Sequence, residues 1–313
     1  MSPSDQTPRP GGRVRVRAPA KVNLALRILE RMDDGFHRLE TLFQAVGLED
    51  VVTVGATGTG SVELTCRSGE VGPPEENLVV RAARAFRSAT GLEDGLHLHL
   101  EKRIPVGAGL GGGSSDAGAA LRGLNQLYGR PLDAETLARL GGTLGADVAF
   151  FTGVAGYAAG RGRGDEITPL PPLPPRTLLL GLPRVHVATG PAYGALARLR
   201  REGGAPPLGS VLERGVPSDW DAVVRGAVND FESVVPKASP PVAEALNILR
   251  DFGAPLALLS GSGGAVFGLP WEGDPGACLA TLRAAAPGVR WEAVPTLATL
   301  PEPEEVVPGG GIG

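Results

Sequence analysis

The feature that most constrains this chain is a glycine-rich run at residues 105–121, which reads PVGAGLGGGSSDAGAAL. Five glycines and two serines occupy the nine positions 107–115, and the run becomes helix-forming at Asp116. Successive glycines let backbone N–H groups converge on an anion, and the positive end of the following helix points at the same place. The run lies between a predicted strand at 96–103 and this helix. The pattern therefore predicts a loop that binds the phosphates of a nucleotide.

Two better-known glycine motifs overlap this run, and the context excludes both. Gly107, Gly109 and Gly112 fit the GxGxxG pattern of dinucleotide-binding proteins, but that fold needs a buried strand after the helix. A second helical stretch follows instead at residues 132–144, with Asp133 as its N-cap. No Gly-Lys-Ser/Thr closes the run, so it is not a P-loop. Because 47 of the 313 residues are glycine, a flexible surface loop stays open as the alternative.

Strand and helix patterns predict an α+β protein of two domains. A helical stripe starts behind Asn77, and the segment PLPPLPP at 169–175 marks the boundary between a domain at 12–168 and one at 176–300. The second domain follows the order βαββαβ, of ferredoxin type, with an extra helical insertion near Trp220. Residues 1–11 and 301–313 are predicted to be flexible tails. In the first domain, strands are predicted at 13–17, 22–28, 39–54, 62–65, 96–103, 148–151 and 156–161.

Composition excludes several functional classes. The chain has no apolar leader and no apolar run of 18 residues, so we expect a cytoplasmic protein without a membrane partner. The net charge is −4 and the arginines are dispersed, which gives no support for nucleic-acid binding. Cys66 and Cys278 have no metal-type spacing, and His97 and His99 lie on the solvated side of a predicted strand. Neither a disulfide nor a metal cluster is expected.

Lysine is rare here, with three residues against 27 arginines, so the position of each lysine is informative. Lys21 lies in APAKVNLAL at 18–26, and LSGSGGAVFG at 259–268 is a second glycine turn. The order and the residues of these two segments and of the glycine-rich run resemble those of the GHMP kinase superfamily. The resemblance covers residues 13–296 and implies a two-domain fold, with a left-handed type of βαβ unit at the nucleotide loop and a ferredoxin-like second domain.

Within that superfamily, DDGFHRLETLFQ at 33–44 and LGADVAFF at 144–151 resemble the kinases of 4-diphosphocytidyl-2-C-methyl-D-erythritol. The resemblance implies transfer of a phosphoryl group from ATP to the 2-hydroxyl of that alcohol, in the non-mevalonate route to isoprenoid precursors. It implies Mg²⁺ as well, for which the sequence assigns no protein ligand. The expected partners are these two small molecules alone, and the expected state is a monomer or a weak homodimer.

The resemblance also assigns roles to individual residues. Lys21 and Asp147 would be the catalytic pair, with Asp147 at a strand entrance, where it orients the acceptor hydroxyl and takes its proton. Phe36, where tyrosine is commoner in the family, would stack on the cytosine beside His37. The other assignments are Asn23, Thr189 and Tyr193 for the acceptor, Asn77, Pro105, Val106, Gly107, Ala108, Gly109, Leu110, Gly111, Gly112, Gly113, Ser114 and Ser115 for ATP, and Ser260, Gly261, Ser262 and Gly263 for a second phosphate clamp.

Two alternatives stay open on the sequence. One is a GHMP kinase for another small alcohol, of the mevalonate or homoserine type, against which the pair Phe36 and His37 argues. The other is a nucleotide-binding sensor without catalysis, against which the retention of both Lys21 and Asp147 argues.

Overall fold

The computed structural model describes residues 12–33, 35, 37–58, 60–67, 72–73, 75–204, 209–213, 215–271 and 273–306. No helix within these ranges is long and apolar enough to cross a membrane. The strands are β1 (Arg13–Arg31), β2 (His37–Thr57), β3 (Val62–Cys66), β4 (Gly95–Glu101), β5 (Tyr157–Arg161), β6 (Glu166–Pro169), β7 (Thr177–Leu182), β8 (Val228–Asn229), β9 (Ala257–Leu259), β10 (Val266–Gly268), β11 (Arg290–Pro295) and β12 (Glu304–Val306). The α-helices are α1 (Leu78–Thr90), α2 (Gly112–Leu127), α3 (Ala134–Leu144), α4 (Ala146–Thr152), α5 (Thr189–Arg201), α6 (Trp220–Gly226), α7 (Val235–Ala238), α8 (Pro240–Asp251) and α9 (Pro275–Ala285).

The larger sheet is built on a long antiparallel pair, β1 and β2, whose lengths are 19 and 21 residues. Its strand order is β12-β1-β2-β4-β3, with β5 beside β2, β6 beside β5 and β8 beside β1. β3 and β4 run parallel and are connected through α1, which forms a βαβ unit directly before the glycine loop. Both ends of this loop are therefore held by regular structure, β4 on one side and α2 on the other.

The helices α1 and α2 cover one side of this sheet. α1 is amphipathic and buries Val79, Ala82 and Phe86, and Asn77 caps it by accepting a hydrogen bond of 2.9 Å from the backbone N–H of Val79. α2 packs Leu121 and other small and apolar residues into the same core. This packing fixes the direction of α2, and its N-terminus points at the cavity described below.

The second sheet confirms the predicted ferredoxin-type domain. Its strand order is β11-β7-β10-β9 and every adjacent pair is antiparallel. α5 and α8 lie between β7 and β9 in the chain, and α9 lies between β10 and β11, which gives the order βαββαβ once the inserted segments are set aside. The insertion near Trp220 includes α6 and β8, and β8 pairs in parallel with β1 of the larger sheet. The insertion therefore connects the two sheets.

Two local predictions are wrong. The segment 148–151 is the helix α4 and not a strand, so Asp147 lies in the first turn of a helix and not at a strand entrance. All four residues of this segment are buried, and a short apolar run that is buried on every side has no period that separates strand from helix. α2 begins at Gly112, four residues before the predicted start at Asp116. The first glycines of this helix also form the end of the glycine loop, and the contacts of that loop hold them in the helical conformation.

The chain end returns to the larger sheet. The backbone N–H of Leu297 donates to the Ala45 carbonyl at 2.9 Å, and β12 pairs with the outer edge of β1. The buried guanidinium of Arg122, on α2, donates to the carbonyl of Pro301 at 2.7 Å. The prediction of a flexible tail from residue 301 is therefore wrong for residues 301–306, because the open edge of β1 supplies hydrogen-bonding partners that no local pattern reveals.

Replacement of Arg122 tests this contact. Arg122→Ala leaves the Pro301 carbonyl without its charged donor, so we expect the free energy of unfolding to fall by about 1–3 kcal/mol in urea titrations. Arg139→Ala is the control, since Arg139 is an exposed arginine on α3, and its loss should change the free energy by no more than about 0.5 kcal/mol. Equal effects of the two variants would contradict a stabilising role for the returning chain end.

Candidate active site

A cavity of about 580 Å³ lies between the two sheets. Its walls include the glycine loop, the buried face of β1 and β2, the start of α1, the end of β4, the start of α4, the turn between β5 and β6, the first residues of α5, and the glycine turn between β9 and β10. Among the predicted site residues, the cavity is lined by Lys21, Asn23, Asn77, Pro105, Val106, Gly107, Ala108, Gly109, Leu110, Gly111, Gly112, Gly113, Ser114, Asp147, Thr189, Tyr193, Gly261 and Ser262. Most of the residues predicted from separate motifs therefore surround one space.

The glycine loop fits tightly against the glycine turn of the second domain. Gly109 has a φ of +79°, and a Cβ on it would lie 2.1 Å from the carbonyl oxygen of Ser260. The backbone N–H of Ala265 donates to the Ala108 carbonyl at 2.8 Å. Only glycine satisfies both the left-handed conformation and this close approach. The two loops thus form one wall of the cavity, although 151 residues separate Gly109 from Ser260.

The N-terminus of α2 opens into the cavity. The first hydrogen bond at this end joins the N–H of Ser115 to the carbonyl of Gly111, so the N–H groups of Gly112, Gly113 and Ser114 have no partner within the helix. Free N–H groups and the helix dipole attract anions at such a terminus. α2 is 16 residues long, so this end carries the dipole of a full helix.

The paired serines of the two glycine segments have different roles. Ser114 lines the cavity, but Ser115 is buried and its hydroxyl donates to the carbonyl of Pro19 at 2.7 Å. Ser262 lines the cavity, whereas Ser260 is buried and its hydroxyl donates to the Gly109 carbonyl at 3.0 Å. Ser115 and Ser260 therefore brace the loops, and the predictions that they contact phosphate are not supported by their positions.

Lys21 and Asp147 meet in the middle of the cavity. The Lys21 Nζ lies 3.3 Å from Asp147 Oδ2 and donates to Asn23 Oδ1 at 2.8 Å and to the Gly109 carbonyl at 3.0 Å. Lys21 is only 3% exposed, because β2 flanks β1 on one side at this level and the glycine loop covers the other, where the backbone N–H of Lys21 donates to the Leu110 carbonyl at 2.9 Å. The Asp147 side chain is 32% exposed and faces the open part of the cavity. The pair thus presents a carboxylate to a ligand while its ammonium stays shielded.

A second cluster lies at the start of β2. The ring of His37 stacks on Tyr193 with the centroids 5.7 Å apart, and Tyr193 meets Phe231 edge to face at 4.9 Å. Burial and the nearby Asp147 raise the pKa of the Tyr193 hydroxyl to about 12, so it stays protonated at neutral pH. Phe36 lies outside the described residues. The structure therefore brings His37 and Tyr193 together and adds Phe231. Tyr193 and Phe231 line the cavity, whereas His37 does not.

Thr189 and Ser262 face each other across the cavity mouth. Their hydroxyl oxygens are 2.9 Å apart, which joins the start of α5 to the glycine turn. Asn229 supports the same turn from below, since its side-chain amide donates to the carbonyls of Leu259 and Gly261 at 2.8 Å. Gly263, also predicted for the clamp, does not line the cavity, and a Cβ there would lie 2.9 Å from Val235.

One charged cluster joins residues that no sequence motif connects. The ammonium of Lys102, which follows β4, binds a carboxylate oxygen of Asp50 on β2 and lies 2.8 Å from Asp116 Oδ2 on α2. The second oxygen of Asp50 accepts hydrogen bonds from the backbone N–H groups of Arg103 and Ile104. The cluster holds the start of the glycine loop against the start of α2. The rarity of lysine is the sequence signal that points to this cluster, since Lys102 is one of the three lysines.

Two carboxylates share one ammonium in this cluster, and the pKa values of both Asp116 and Lys102 are shifted. Burial raises the pKa of Asp116 to about 8, since the opposing effect of Lys102 does not outweigh desolvation. Burial lowers the pKa of Lys102, but the two carboxylates more than compensate, and the net shift is upward. The Oδ1 atom of Asp116 is buried and has no hydrogen-bond partner among the residues that the structure describes.

Substitution of Gly109 tests the tight loop contact. Gly109→Ala forces a left-handed alanine into the Ser260 carbonyl, so we expect the free energy of unfolding to fall by roughly 2 kcal/mol or more. Gly194→Ala is the matched control, because Gly194 lies inside α5 with nothing within 4 Å of a Cβ, and alanine there should stabilise by about 0.5–1 kcal/mol. If Gly109→Ala left the free energy of unfolding in urea unchanged, the loop would have moved to accommodate the methyl group, and the prediction would be wrong.

The Lys102 cluster gives a pH-dependent prediction. The folded pKa of Asp116 exceeds its unfolded value, so the stabilisation from its proton is complete at low pH and is lost as the pH rises toward 8. Asp116→Asn removes this titration, and its free energy of unfolding relative to the wild type should rise by about 1 kcal/mol per pH unit between about pH 5 and 7. Urea unfolding across this range measures it, with the exposed Glu135→Gln as control. A pH-independent difference would contradict the raised pKa.

Comparison with known proteins agrees with this geometry. Residues 77–153 match the model of the GHMP kinases N-terminal domain, and residues 212–286 match that of the GHMP kinases C-terminal domain. A homoserine kinase from Cytophaga hutchinsonii superposes with a TM-score of 0.70 at 20% identity over 94% of this chain and 97% of its own, which shows a common fold.

Proteins with higher sequence identity to this chain than the homoserine kinase include several with the same name. The 4-diphosphocytidyl-2-C-methyl-D-erythritol kinases of Salinibacter ruber and Solibacter usitatus are 40% and 42% identical to this chain, over 80% and 81% of its length and 88% and 80% of their own. A crystal structure of 4-(cytidine 5'-diphospho)-2C-methyl-D-erythritol kinase superposes with a TM-score of 0.72 at 36% identity, over 90% of this chain and 98% of that one. The chain therefore belongs to the 4-diphosphocytidyl-2-C-methyl-D-erythritol kinase family of the GHMP kinases.

Proposed function

We propose that this chain transfers the γ-phosphoryl group of ATP to the 2-hydroxyl of 4-diphosphocytidyl-2-C-methyl-D-erythritol, with Lys21 and Asp147 as its catalytic residues. The products are the 2-phosphate and ADP, and the reaction belongs to the non-mevalonate route to isoprenoid precursors. The observation that carries the assignment of residues is the 3.3 Å contact between Lys21 Nζ and Asp147 Oδ2 inside a cavity. The N-terminus of α2 and the aromatic rings of Tyr193 and Phe231 line the same cavity.

The donor side is the N-terminus of α2 with the glycine loop. Its free N–H groups bind the phosphates of ATP, and Ser114 adds a hydroxyl at the same place. Ser262 and Thr189 approach from the second domain, and their hydroxyls lie at the mouth of the cavity. Such fixed donors position the transferred group and stabilise its charge, which is most of what phosphoryl transfer requires of a protein.

The acceptor side is the cluster of His37 and Tyr193. The rings offer a stacking face and a polar edge for a pyrimidine, and base stacking on an aromatic ring contributes about 1–3 kcal/mol. Asn23 lines the same cavity beside Lys21, and its amide donates to the Thr41 hydroxyl at 2.7 Å. With its Oδ1 held by Lys21 and its amide held by Thr41, Asn23 is fixed on both sides.

Asp147 acts as the base in this proposal. Its exposed carboxylate accepts the proton of the 2-hydroxyl as the oxygen bonds to phosphorus, and Lys21 stabilises the negative charge that develops there. General-base assistance of this kind contributes about 10²- to 10⁴-fold to the rate. The position of Asp147 at the start of α4 adds the positive end of a helix behind the carboxylate, although this helix has only seven residues.

Mg²⁺ is expected to enter with the nucleotide. Within the described residues, no three His, Cys, Asp or Glu side chains are grouped in a way that holds a metal ion. Mg²⁺ usually keeps several water ligands and binds substrate phosphates, so the phosphates of the nucleotide would supply most of its protein-independent ligands. The Ser114 hydroxyl is the protein oxygen that would complete its coordination. Bound there, the ion would neutralise phosphate charge.

The other expectations stay predictions: a cytoplasmic location and a monomer or weak homodimer. The rival acceptors mevalonate and homoserine lack a pyrimidine for the rings of His37 and Tyr193, so competition by a cytidine nucleotide separates them from the proposed acceptor.

The first experiment is ADP release with Mg·ATP and the proposed acceptor. Asp147→Asn keeps the size of the side chain but removes the base, so we expect acceptor-dependent turnover to fall by about a hundredfold or more, with little change in KM for ATP. Asp221→Asn is the control, because Asp221 is an exposed carboxylate on α6 outside the cavity, and its activity should equal that of the wild type. Wild-type turnover in the Asp147→Asn variant would refute the catalytic assignment, and no acceptor-dependent turnover in the wild type would refute the substrate.

A further inference from the structure

A shielded group of three charged side chains joins α5 to the larger sheet, outside the cavity. Asp230 begins the 3₁₀-helix Asp230–Ser233, and its carboxylate binds the guanidinium of Arg27 on β1 at 2.8 Å and that of Arg200 on α5 at 2.7 Å. The backbone N–H of Ile28 donates to the same carboxylate at 2.8 Å. The side chains of Arg27, Asp230 and Arg200 are only 10%, 7% and 16% exposed, so these charges are largely removed from water.

Arg200 connects the end of α5 to the pair of strands that carries His37. Besides Asp230, its guanidinium binds the backbone carbonyl of Ile28, to which it donates at 2.6 Å. Ile28 lies opposite Leu39 in the register of β1 and β2, and Leu39 is two residues from His37. A displacement of Arg200 would therefore change the position of α5 relative to His37.

The same helix carries Tyr193, whose ring stacks on that of His37. Tyr193 precedes Arg200 by seven residues, which is about two helical turns, so both side chains lie on one face of α5. The Tyr193 ring meets Phe231 edge to face. Arg200 binds Asp230, the residue directly before Phe231. Two successive residues of the 3₁₀-helix thus contact this face of α5 at two levels.

The beginning of α5 is held by a separate contact. The Thr189 hydroxyl lies 2.9 Å from that of Ser262 in the glycine turn, one turn before Tyr193. The helix is therefore attached to the glycine turn at its start and to β1 at its end. Loss of the second attachment leaves the first in place.

The charges of this group are costly for stability. Two guanidiniums share one carboxylate, and well-packed apolar side chains are often at least as stabilising as buried ions. The Nε atoms of Arg27 and Arg200 are buried without a hydrogen-bond partner among the residues that the structure describes, which adds to the cost. Apolar packing has no preferred direction, whereas a guanidinium with two fixed acceptors specifies one position of its helix. The cost points to a role in placing α5.

We propose that Arg200 is a positioning residue for the acceptor. Through its bonds to the Ile28 carbonyl and to Asp230, it holds the ring of Tyr193 at the distance from His37 that the pyrimidine requires. The inference rests on the proposed function, because it uses the base site at His37 and Tyr193. Arg200 itself touches neither substrate and acts through α5, while the Thr189 contact keeps the donor side unchanged.

Steady-state kinetics with Arg200→Met test the proposal. Methionine keeps an unbranched side chain but has no donors, so we expect KM for the acceptor to rise by about tenfold, with KM for ATP and kcat within about threefold. Arg201→Met is the matched control, because Arg201 is an exposed arginine in the same last turn of α5, and its kinetics should equal those of the wild type. Arg200→Lys should recover part of the loss, since it keeps the charge but not the two-sided donors.

A double-variant cycle separates placement of the ring from a general structural role. Tyr193→Leu removes the ring that Arg200 places, so adding Arg200→Met to it should lower kcat/KM for the acceptor by no more than about twofold further. The initial slope of rate against acceptor concentration gives kcat/KM even where binding is weak. If Arg200→Met does not fold, Arg200→Lys enters the same cycle, with an expected loss of about threefold in the presence of Tyr193 and no further loss in its absence.

Three results would overturn the proposal. They are an unchanged acceptor KM when Arg200 is replaced, equal increases in KM for ATP and for the acceptor, and a full additional loss in the Tyr193→Leu background. Each of them leaves the proposed function intact, since the wild type still turns over the acceptor. A wild type without acceptor-dependent turnover would instead refute the proposed function and this inference with it.

Discussion

The buried ammonium of Lys21 is the interaction on which the rest of the site depends. It joins three parts of the chain, since it contacts Asn23 on β1, the carbonyl of Gly109 in the glycine loop and the carboxylate of Asp147 on α4. A buried charge is costly unless it is paired and hydrogen-bonded, and attraction within such a pair is roughly 5 kcal/mol at an effective dielectric near 20. The positions of the loop and of α4 are therefore coupled, and the Asp147 carboxylate is held close to the glycine loop.

The second constraint is the contact between the two glycine loops. Gly109 approaches the Ser260 carbonyl, and the buried Ser260 hydroxyl donates to the Gly109 carbonyl, which Lys21 also binds. One backbone oxygen thus accepts hydrogen bonds from both domains. The side-chain amide of Asn229 holds the second loop by donating to the carbonyls of Leu259 and Gly261. The wall of the cavity that these two loops form is consequently braced by contributions from both domains.

Local signals in the sequence predicted the parts of the fold that depend on local physics. The Asn77 and Asp133 caps, the strand β7 and the order βαββαβ follow from side-chain capping and from hydrophobic period, both of which act within a few residues. The prediction failed where burial is complete or where the partner is distant. The apolar residues of α4 are buried on every side, so their pattern predicts a strand, and no local pattern predicts β12 because its partner is the far edge of β1. The cluster of Lys102, Asp50 and Asp116 likewise joins residues from three separate elements.

The sequence by itself determined the family, the two glycine segments and the residue types for phosphoryl transfer, because motifs of this kind specify chemistry through residue identity and spacing. Only the tertiary structure decided which of these side chains face the ligand. Ser114 and Ser262 reach the cavity, but the hydroxyls of Ser115 and Ser260 bind carbonyls that lie 96 and 151 residues away in the chain. The direction of a side chain depends on the groups packed around it, and those groups are brought together only when the two sheets meet.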